Sequence, residues 1–389
     1  MADQIDDKSV SAAEPLKDII TTKAVDESSI TVNEIPKSIE PPVTTPTTIK
    51  SNKYKHILFL LCGLIIVIAG IGEGALWYHK HSEKPTPLVN ISVRLAWINN
   101  PQFAGMDVAK ALGYYKAVGL NVTLLDFENN TDVNKEVSDG QVDYGVSTPI
   151  EIIVARSEGE DNKAIAAIYQ TSAYSFVIQK NAGIVTPSDF KGKILGAIGA
   201  NNQAEVTYKV LAANAGLKPS DYTIKSVGYD VVSDFQTNEA ATADIYRSDQ
   251  TYLLNQANIP YTQLFPEQFG FNIYGDTIIA SDARIAKYPA QTAAFVKATL
   301  EGWEYAAKNQ TQTLAILAKY NDPTYNVPGY SKFDLEHTIP LVMPTGDQPY
   351  GSMSYAIWNK AYQGVSTSGL LQHAFPVSEI YTTQFIPQT

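Results

Sequence analysis

Patterns typical of β-strands and of α-helices alternate along the chain from residue 90 onwards. A strand pattern covers residues 90–96, an amphipathic helix pattern covers 107–112, and a second strand pattern covers 121–127. A strand, a helix and a second strand in this order form a unit in which the helix crosses one face of a parallel sheet. The alternation therefore predicts an α/β fold built on open, parallel sheets.

The clearest helix start follows a third strand pattern at residues 142–146. Thr148 suits the N-cap, Pro149 suits the first helical position, and Glu151 stands three residues after the cap, as in a capping box. We expect this helix to reach Arg156. Further strand patterns cover residues 164–169, 176–179, 194–198, 223–227, 243–246 and 277–280, and helix patterns cover 203–215, 289–308 and the surroundings of Leu314 and Ile357.

The N-terminal part of the chain has a different composition. Residues 1–55 are rich in Ser, Thr, Pro, Asp and Glu and lack apolar periodicity, which predicts a disordered tail. Residues 56–78 are an apolar run that as a helix would rise roughly 33 Å, enough to cross a bilayer core. We expect a transmembrane anchor there, followed by a linker at residues 79–88. A cleaved signal peptide is the alternative.

The lysines around the apolar run predict its orientation. Lys50, Lys53 and Lys55 precede the run, whereas Lys80 and Lys84 follow it. Because positive residues favour the cytoplasmic side, we expect a cytoplasmic tail and a domain that lies outside the cytoplasm at the cell membrane.

Composition excludes several kinds of function for this outer domain. The net charge is −11, and no cluster of Lys and Arg suits a nucleic-acid backbone. The single cysteine, Cys62, lies in the apolar run, so the outer domain has no disulfide and no cysteine-ligated metal. The histidines show no metal-site spacing either. We therefore expect neither a nucleic-acid partner nor a metal.

Candidate ligand-binding residues follow the predicted strands, because open α/β sheets bind ligands at the carboxyl ends of their strands. The candidates are Trp97, Asn99, Asn100, Phe103, Ser147, Thr148, Tyr169, Gln170, Asn201, Asn202 and Tyr246. Aromatic rings, hydroxyls and amides dominate this set and charges are few, which favours a neutral or modestly polar, planar solute. Two alternatives stay open, namely that Trp97 is a core residue and that the set is ordinary loop polarity.

Several motifs resemble one known family. They are Leu95-Ala96-Trp97 with Gly105 and Ala109, LGYYKAVGL at 112–120, VDYGV at 142–146, IVTPSDFKGKIL at 184–195, FVKA at 295–298 and GWEYA at 302–306. In this order and spacing they resemble the thiamine-pyrimidine synthases and pyrimidine-precursor-binding proteins (SsuA/THI5-like). That family sits among the periplasmic-type solute-binding proteins of ABC importers.

The resemblance implies a type II periplasmic-binding-protein fold, with two open-sheet lobes joined by a hinge of two chain crossings. Lobe 1 would comprise residues 89–180 and 273–389, including C-terminal helices, and lobe 2 would comprise residues 181–272. A small organic solute, such as a thiamine pyrimidine precursor, would bind between the lobes, and the closed form would dock on an ABC permease.

Departures from the family argue against an enzyme. The synthase branch has a pyridoxal-phosphate lysine and a histidine at the positions of Ser147 and Glu151, and a cysteine-rich run where this chain has FNIYGD at 271–276. Without the lysine no Schiff base forms, so we expect no enzyme activity and no cofactor. Binding proteins of the family often carry an acid at the position of Asp249, which adds Asp249 to the ligand-binding candidates.

One other function stays open from the sequence. The outer domain would then be a ligand-sensing ectodomain that signals to a membrane or cytoplasmic partner. A permease and an ATPase encoded beside this chain would favour the importer component instead.

Overall fold

The structure is a computed structural model that describes residues 87–128, 131–198, 202–228, 230–237, 239–325 and 327–387. The predicted tail, the predicted anchor at 56–78 and all but the last two residues of the predicted linker lie outside these ranges. Within them, no helix combines the length and the apolar character that a membrane crossing requires.

The strands of the described ranges form two five-stranded sheets. They are β1 (Val89–Arg94), β2 (Leu120–Leu125), β3 (Tyr144–Ser147), β4 (Asn162–Ala167), β5 (Tyr174–Gln179), β6 (Ile194–Ile198), β7 (Thr223–Val227), β8 (Thr242–Tyr246), β9 (Tyr261–Leu264) and β10 (Thr277–Ser281). The first sheet has the order β2-β1-β3-β10-β4, and the second sheet has the order β7-β6-β8-β5-β9.

The expectation of purely parallel sheets is wrong for one strand in each sheet. β10 pairs antiparallel with β3 and β4, and β5 pairs antiparallel with β8 and β9. The chain enters β5 and β10 directly from the other sheet, with no α-helix between. Each strand therefore begins at the edge where the parallel strands end, and runs against them. β5, which the predicted boundaries assign to lobe 1, lies in the second sheet.

The helices of the described ranges flank the two sheets. They are α1 (Ala104–Ala111), α2 (Tyr114–Ala117), α3 (Val133–Ser138), α4 (Pro149–Ser157), α5 (Asn202–Asn214), α6 (Val231–Thr237), α7 (Gln250–Gln256), α8 (Asp282–Lys287), α9 (Pro289–Lys308), α10 (Gln310–Leu317), α11 (Tyr330–Val342) and α12 (Tyr355–Ser368). The predicted helix at 289–308 coincides with α9. Helix α11, which has Pro340 inside it, was not among the predicted helices.

Helices α1 and α9 pack closely because two glycines meet where they cross. A Cβ atom on Gly302 of α9 would lie 2.0 Å from the backbone oxygen of Gly105 in α1. A Cβ atom on Gly105 would lie 2.2 Å from the ring of Trp303, which is buried in the core. Any side chain at either glycine would push the helices apart. These motif residues therefore fix the position of α1, which follows the loop that carries Trp97.

The C-terminal helix α12 connects the two sheets. It packs against α4, which follows β3, and against α5, which follows β6. Trp358 of α12 is fully buried, and its ring stacks on Tyr381 with the centroids 5.7 Å apart. The C-terminal segment thus joins the two sheets in addition to the two chain crossings.

Candidate ligand-binding cleft

A cleft of about 420 Å³ lies between the two sheets, at the edge where their parallel strands end. The first-sheet wall consists of Ala96, Trp97, Gln102, Phe127, Thr131, Asp132, Val133, Asn134, Val146, Ser147, Thr148, Glu151 and Asp276. The second-sheet wall consists of Tyr174, Ile198, Asp244, Ile245, Tyr246, Asp249 and Gln250. Small-molecule sites usually measure about 300 to 1,000 Å³, so this cleft suits a compact solute.

An aromatic pair dominates the first-sheet wall. Trp97 follows β1, Phe127 follows β2, and their rings stack with the centroids 5.5 Å apart and the planes 22° apart. The two loops are neighbours because β1 and β2 pair in parallel, so their carboxyl ends meet. Both side chains are half-buried, which leaves part of each ring available to a planar solute.

A chain of contacts behind the cleft connects this aromatic pair to the second-sheet wall. The indole N–H of Trp97 donates to the hydroxyl of Tyr325 at 2.7 Å. Tyr325 stacks on Tyr330 with the centroids 5.0 Å apart, and the hydroxyl of Tyr330 donates to Oδ1 of Asp249 at 2.9 Å. The C-terminal segment therefore positions one residue on each wall.

The N-terminus of α4 contributes hydroxyl groups to the cleft, and the predicted helix start is confirmed. Thr148 is the N-cap, and its side chain accepts a hydrogen bond from the backbone N–H of Glu151 at 3.4 Å. The preceding Ser147 accepts a hydrogen bond through Oγ from Nδ2 of Asn134 at 3.0 Å. Asn134 belongs to α3, so two helices meet at this part of the wall.

Asp249 belongs to a buried pair of carboxyl groups. The hydroxyl of Tyr330 contacts both Asp249 and Oδ2 of Asp334, the latter at 3.2 Å. Burial raises the pKa of Asp249 to about 6. Burial and the nearby charge of Asp249 raise the pKa of Asp334 to about 8. The two carboxyl groups therefore titrate as a coupled pair, in which the pKa of Asp334 is raised further than that of Asp249.

Asp276 links the two walls. Its Oδ1 accepts a hydrogen bond from the hydroxyl of Tyr246, at the end of β8, and its Oδ2 accepts from Nε2 of Gln102 at 2.8 Å. Burial raises the pKa of Asp276 to about 6, so the group is mostly ionised at neutral pH.

The cleft is acidic, so the expectation of few charges is wrong. The described lining residues include five carboxylates, which are Asp132, Glu151, Asp244, Asp249 and Asp276, and they include no Lys, Arg or His. Asp244 lies inside β8, where its side chain accepts from the backbone N–H of Ile198. Asp244 was not among the predicted residues, because those residues follow strands whereas Asp244 lies within one.

The cleft brings together five of the residues predicted from the sequence. Trp97, Ser147 and Thr148 lie on the first-sheet wall, and Tyr246 and Asp249 lie on the second-sheet wall. They come from three strand ends in two sheets and from the start of α7.

The loop after Trp97 turns inward, so its other predicted residues do not line the cleft. Asn99 is buried and donates through Nδ2 to Asp107 at 3.1 Å. Asn100 caps a short 3-10 turn at Pro101–Phe103 by accepting from the backbone N–H of Gln102 at 2.8 Å. Phe103 is only 1% exposed and belongs to the core.

Tyr169 and Gln170 also lie away from the described lining. Tyr169 is fully buried, and its hydroxyl donates to the backbone oxygen of Gln102 at 3.1 Å. Gln170 donates to the backbone oxygens of Ala167 and Ser352. Asn201 lies outside the described residues, and Asn202 begins α5.

Two lining residues that the sequence analysis missed stand at the start of strands. Tyr174 begins β5, and Asp276 directly precedes β10. Because both strands are antiparallel to their neighbours, their amino ends lie at the edge where the other strands end. The predicted strands at 176–179 and 277–280 indicate that both residues stand at strand starts. The expectation of parallel sheets placed those starts at the edge away from the ligand site.

Comparison with known proteins identifies the family. The family model described as NMT1/THI5 like matches residues 100–313, more than half of the 389-residue chain. The chain belongs to this family.

Relatives of this NMT1/THI5-like chain include both binding proteins and synthases. The riboflavin-binding protein RibY of Chloroflexus aurantiacus is 23% identical over 313 residues, which cover 78% of this chain and 88% of RibY. The formylaminopyrimidine-binding protein of Halalkalibacterium halodurans is 21% identical, with 76% and 90% covered. The 4-amino-5-hydroxymethyl-2-methylpyrimidine phosphate synthase of Legionella pneumophila is 22% identical, with 77% and 93% covered.

Solved structures share the fold. The periplasmic aliphatic sulphonate binding protein SsuA of Escherichia coli has a TM-score of 0.61 and 16% identity, with 77% of this chain and 94% of SsuA covered. The Candida albicans CA3427 product, described as having the generic periplasmic binding protein fold, has a TM-score of 0.57 and 12% identity, with 78% and 99% covered. The predicted α/β periplasmic-binding-protein fold with two sheets is confirmed.

The cleft does not fit pyridoxal phosphate, the cofactor that the resemblance implies for the synthase branch. Ser147 stands on the first-sheet wall, where the resemblance places the lysine of the synthase branch, and the described lining contains no lysine that could form a Schiff base. The carboxylates of the lining would also repel the phosphate group. Within the described residues, no cluster of His, Cys, Asp and Glu is arranged to hold a metal ion.

Proposed function

We propose that this chain is a solute-binding protein without enzyme activity, and that a small planar heteroaromatic solute binds between its two sheets. The aromatic pair of Trp97 and Phe127 carries this proposal, because two half-buried rings at the strand ends offer a stacking surface. Hydroxyl, amide and carboxylate groups of both walls surround that surface and can accept hydrogen bonds from ring substituents.

The relatives support an aminopyrimidine or a related ring as the solute. Two of them are named for binding riboflavin and formylaminopyrimidine, and the synthases are named for a pyrimidine product. The acidic lining also argues against sulfonates, the solutes named for SsuA, since an anion would face five carboxylates.

The transport role extends the same proposal. The two sheets would form two lobes that close on the solute by a hinge at the two chain crossings, near residues 168–173 and 265–276. The closed form would deliver the solute to an ABC permease, outside the cytoplasm. The apolar run at 56–78 would anchor the protein in the membrane.

The experiment has two steps on the purified full-length chain. Mass spectrometry of small molecules released on denaturation should detect a planar heteroaromatic compound in near-stoichiometric amount. Calorimetric titration of the emptied protein with 4-amino-5-hydroxymethyl-2-methylpyrimidine and with riboflavin should then show saturable binding of at least one of them. Tyr355→Ala, which removes a ring that is 59% exposed and lies outside the lining, is the control for nonspecific stacking.

Release of an aliphatic sulfonate, or of no small molecule together with absent binding of both probes, would contradict the proposed solute class. Turnover of either probe would contradict the proposed absence of enzyme activity.

A further inference from the structure

The arginines of the described residues leave the cleft without a basic group. Arg94 pairs with Glu136, Arg156 with Asp282, Arg247 with Glu267 and Arg284 with Asp143. None of these pairs lines the cleft. The protein therefore neutralises partly buried carboxylates elsewhere with guanidinium groups, but does not do so at the cleft.

Asp249 and Asp276 differ from those paired acids. Their hydrogen-bond partners are neutral donors, namely Tyr330 and Gln250 for Asp249, and Tyr246 and Gln102 for Asp276. Asp249 is 8% exposed and Asp276 is 2% exposed, yet both reach the cleft. A buried carboxylate without a cation is strongly destabilised, and a cation at hydrogen-bond distance relieves this.

We propose that the solute carries a positive charge and that Asp249 and Asp276 are its counter-ions, while the Trp97–Phe127 pair stacks on its ring. The solute class is a planar heteroaromatic compound with a protonated amine or another cationic nitrogen. This inference rests on the proposed function of the same cleft. Each carboxylate oxygen keeps a second lone pair, so both acids can bind a cation without losing their present partners.

The release of protons on binding gives a second test of the solute's charge. The titratable groups that face Asp249 are Tyr325, Tyr330 and Asp334, and those that face Asp276 are Tyr169 and Tyr246. Since burial raises the pKa of both acids to about 6, each is partly protonated in the apo protein at that pH. A bound cation favours the ionised form, so binding at pH 6 releases protons, whereas a neutral solute gives no such release.

The test uses three compounds that share one ring and differ in charge. The first, 4-amino-5-aminomethyl-2-methylpyrimidine, is a cation at neutral pH. The second is the neutral 5-hydroxymethyl compound, and the third is the anionic phosphate of that compound. We expect calorimetry at pH 7.5 to show the cation binding at least tenfold more tightly than the neutral compound, with the phosphate weakest. Asp249→Asn should reduce the ratio between the cation and the neutral compound to about threefold or less.

Glu336→Gln removes the same charge from a half-exposed side chain outside the lining, and it should keep the ratio of the unaltered protein. At pH 6, the binding enthalpy of the cation should vary with the ionisation enthalpy of the buffer, in the direction of proton release.

The outcomes separate this inference from the proposed function. A ratio near one, or proton uptake, overturns the charge inference while binding of the neutral compound upholds the proposed function. If no compound of the series binds, the pyrimidine assignment fails. The charge of the solute released from the purified protein then tests the charge inference. A cationic solute then supports the inference, and a neutral or anionic one overturns it.

Discussion

The two walls of the cleft differ in what they offer a solute. The first-sheet wall presents two stacked rings, and Tyr325 holds one of them from behind. The second-sheet wall includes the side chains of Asp244, Asp249 and Tyr246. Under the proposed function, the first-sheet wall would select a flat shape, and Asp276 of that wall together with Asp249 of the second-sheet wall would select hydrogen-bond donors and positive charge. Under that proposal the selectivity of the site depends on both walls, because neither sheet alone supplies all of these groups.

Of the changes proposed here, removal of the Trp97 ring should weaken solute binding most. A stacked contact is worth about 0.5 to 1.5 kcal/mol beyond burial, and the variant also loses buried apolar area. Trp97→Ala should therefore weaken solute binding at least roughly tenfold, about 1.4 kcal/mol, and Trp97→Phe should weaken it less. Calorimetry gives the affinity, and a thermal melt shows whether the variant is folded. Full affinity in a folded Trp97→Ala protein would exclude stacking on the first-sheet wall.

Disruption of the contact that positions Asp249 should give a smaller effect. Tyr330→Phe removes the hydroxyl that contacts Asp249 and Asp334, and one hydrogen bond is worth about 0.5 to 1.5 kcal/mol. We expect solute affinity to fall by about threefold to tenfold and its pH dependence to shift, because the pKa of Asp249 depends on that hydroxyl.

Tyr144→Phe is the matched control for this variant. Tyr144 is equally buried, and its hydroxyl bonds Oγ1 of Thr292 at 3.0 Å, outside the lining. The Tyr144→Phe variant should have a lower free energy of unfolding than the unaltered protein and the same solute affinity. Equal losses of affinity in both variants would show that Tyr330 acts only through stability.

The buried acids should make the protein less stable as pH rises. Burial raises the pKa of Asp334 to about 8 and that of Asp107 to about 7, from a usual value of 3.8. Between about pH 4 and pH 8 the folded chain thus binds more protons than the unfolded chain. The free energy of unfolding, measured with urea at each pH, should therefore fall as pH rises through this window.

Replacement of Asp334 tests the origin of that fall. Asp334→Asn removes one of the titrating groups, so the fall of the free energy of unfolding with pH should become shallower. Glu336→Gln on the same helix, α11, is the control, because its side chain is half-exposed. A stability that rises with pH, or an unchanged slope in Asp334→Asn, would contradict the assignment.

The smallest expected effect is a null result with pyridoxal phosphate. Because Ser147 lies where the resemblance places the lysine of the synthase branch, incubation followed by borohydride should leave no cofactor adduct on residues of the cleft. Peptide mapping by mass spectrometry checks this. A reduced adduct on a lysine beside the cleft would contradict the proposed absence of enzyme chemistry.

Much of the fold was predictable because its elements carry local signals. The strands at 194–198 and 223–227 and helix α9 coincide with their sequence patterns. β9 escaped prediction because it is a four-residue edge strand with little burial. α11 escaped because Pro340 interrupts its pattern and a glycine in the left-handed region, Gly329, precedes it.

The site was less predictable because side-chain direction depends on tertiary contacts. Ser147 and Thr148 could be placed, since an N-cap after a buried strand fixes both. Asn99 and Asn100 stand two and three residues after Trp97, yet the chain turns inward there and their side chains form hydrogen bonds with other loop and core groups. Asp276 could not be found without knowing that β10 runs antiparallel.

Hydrogen exchange with and without solute tests most directly whether a solute binds between the two walls. The solute is the compound released from the protein or a pyrimidine that binds it in calorimetric titration. At saturating solute, backbone amides in both walls should exchange more slowly. The protected segments should include residues 96–103 and 146–151 of the first-sheet wall and residues 244–250 of the second. Protection confined to one wall, or confined to surfaces away from both, would contradict binding between the two sheets.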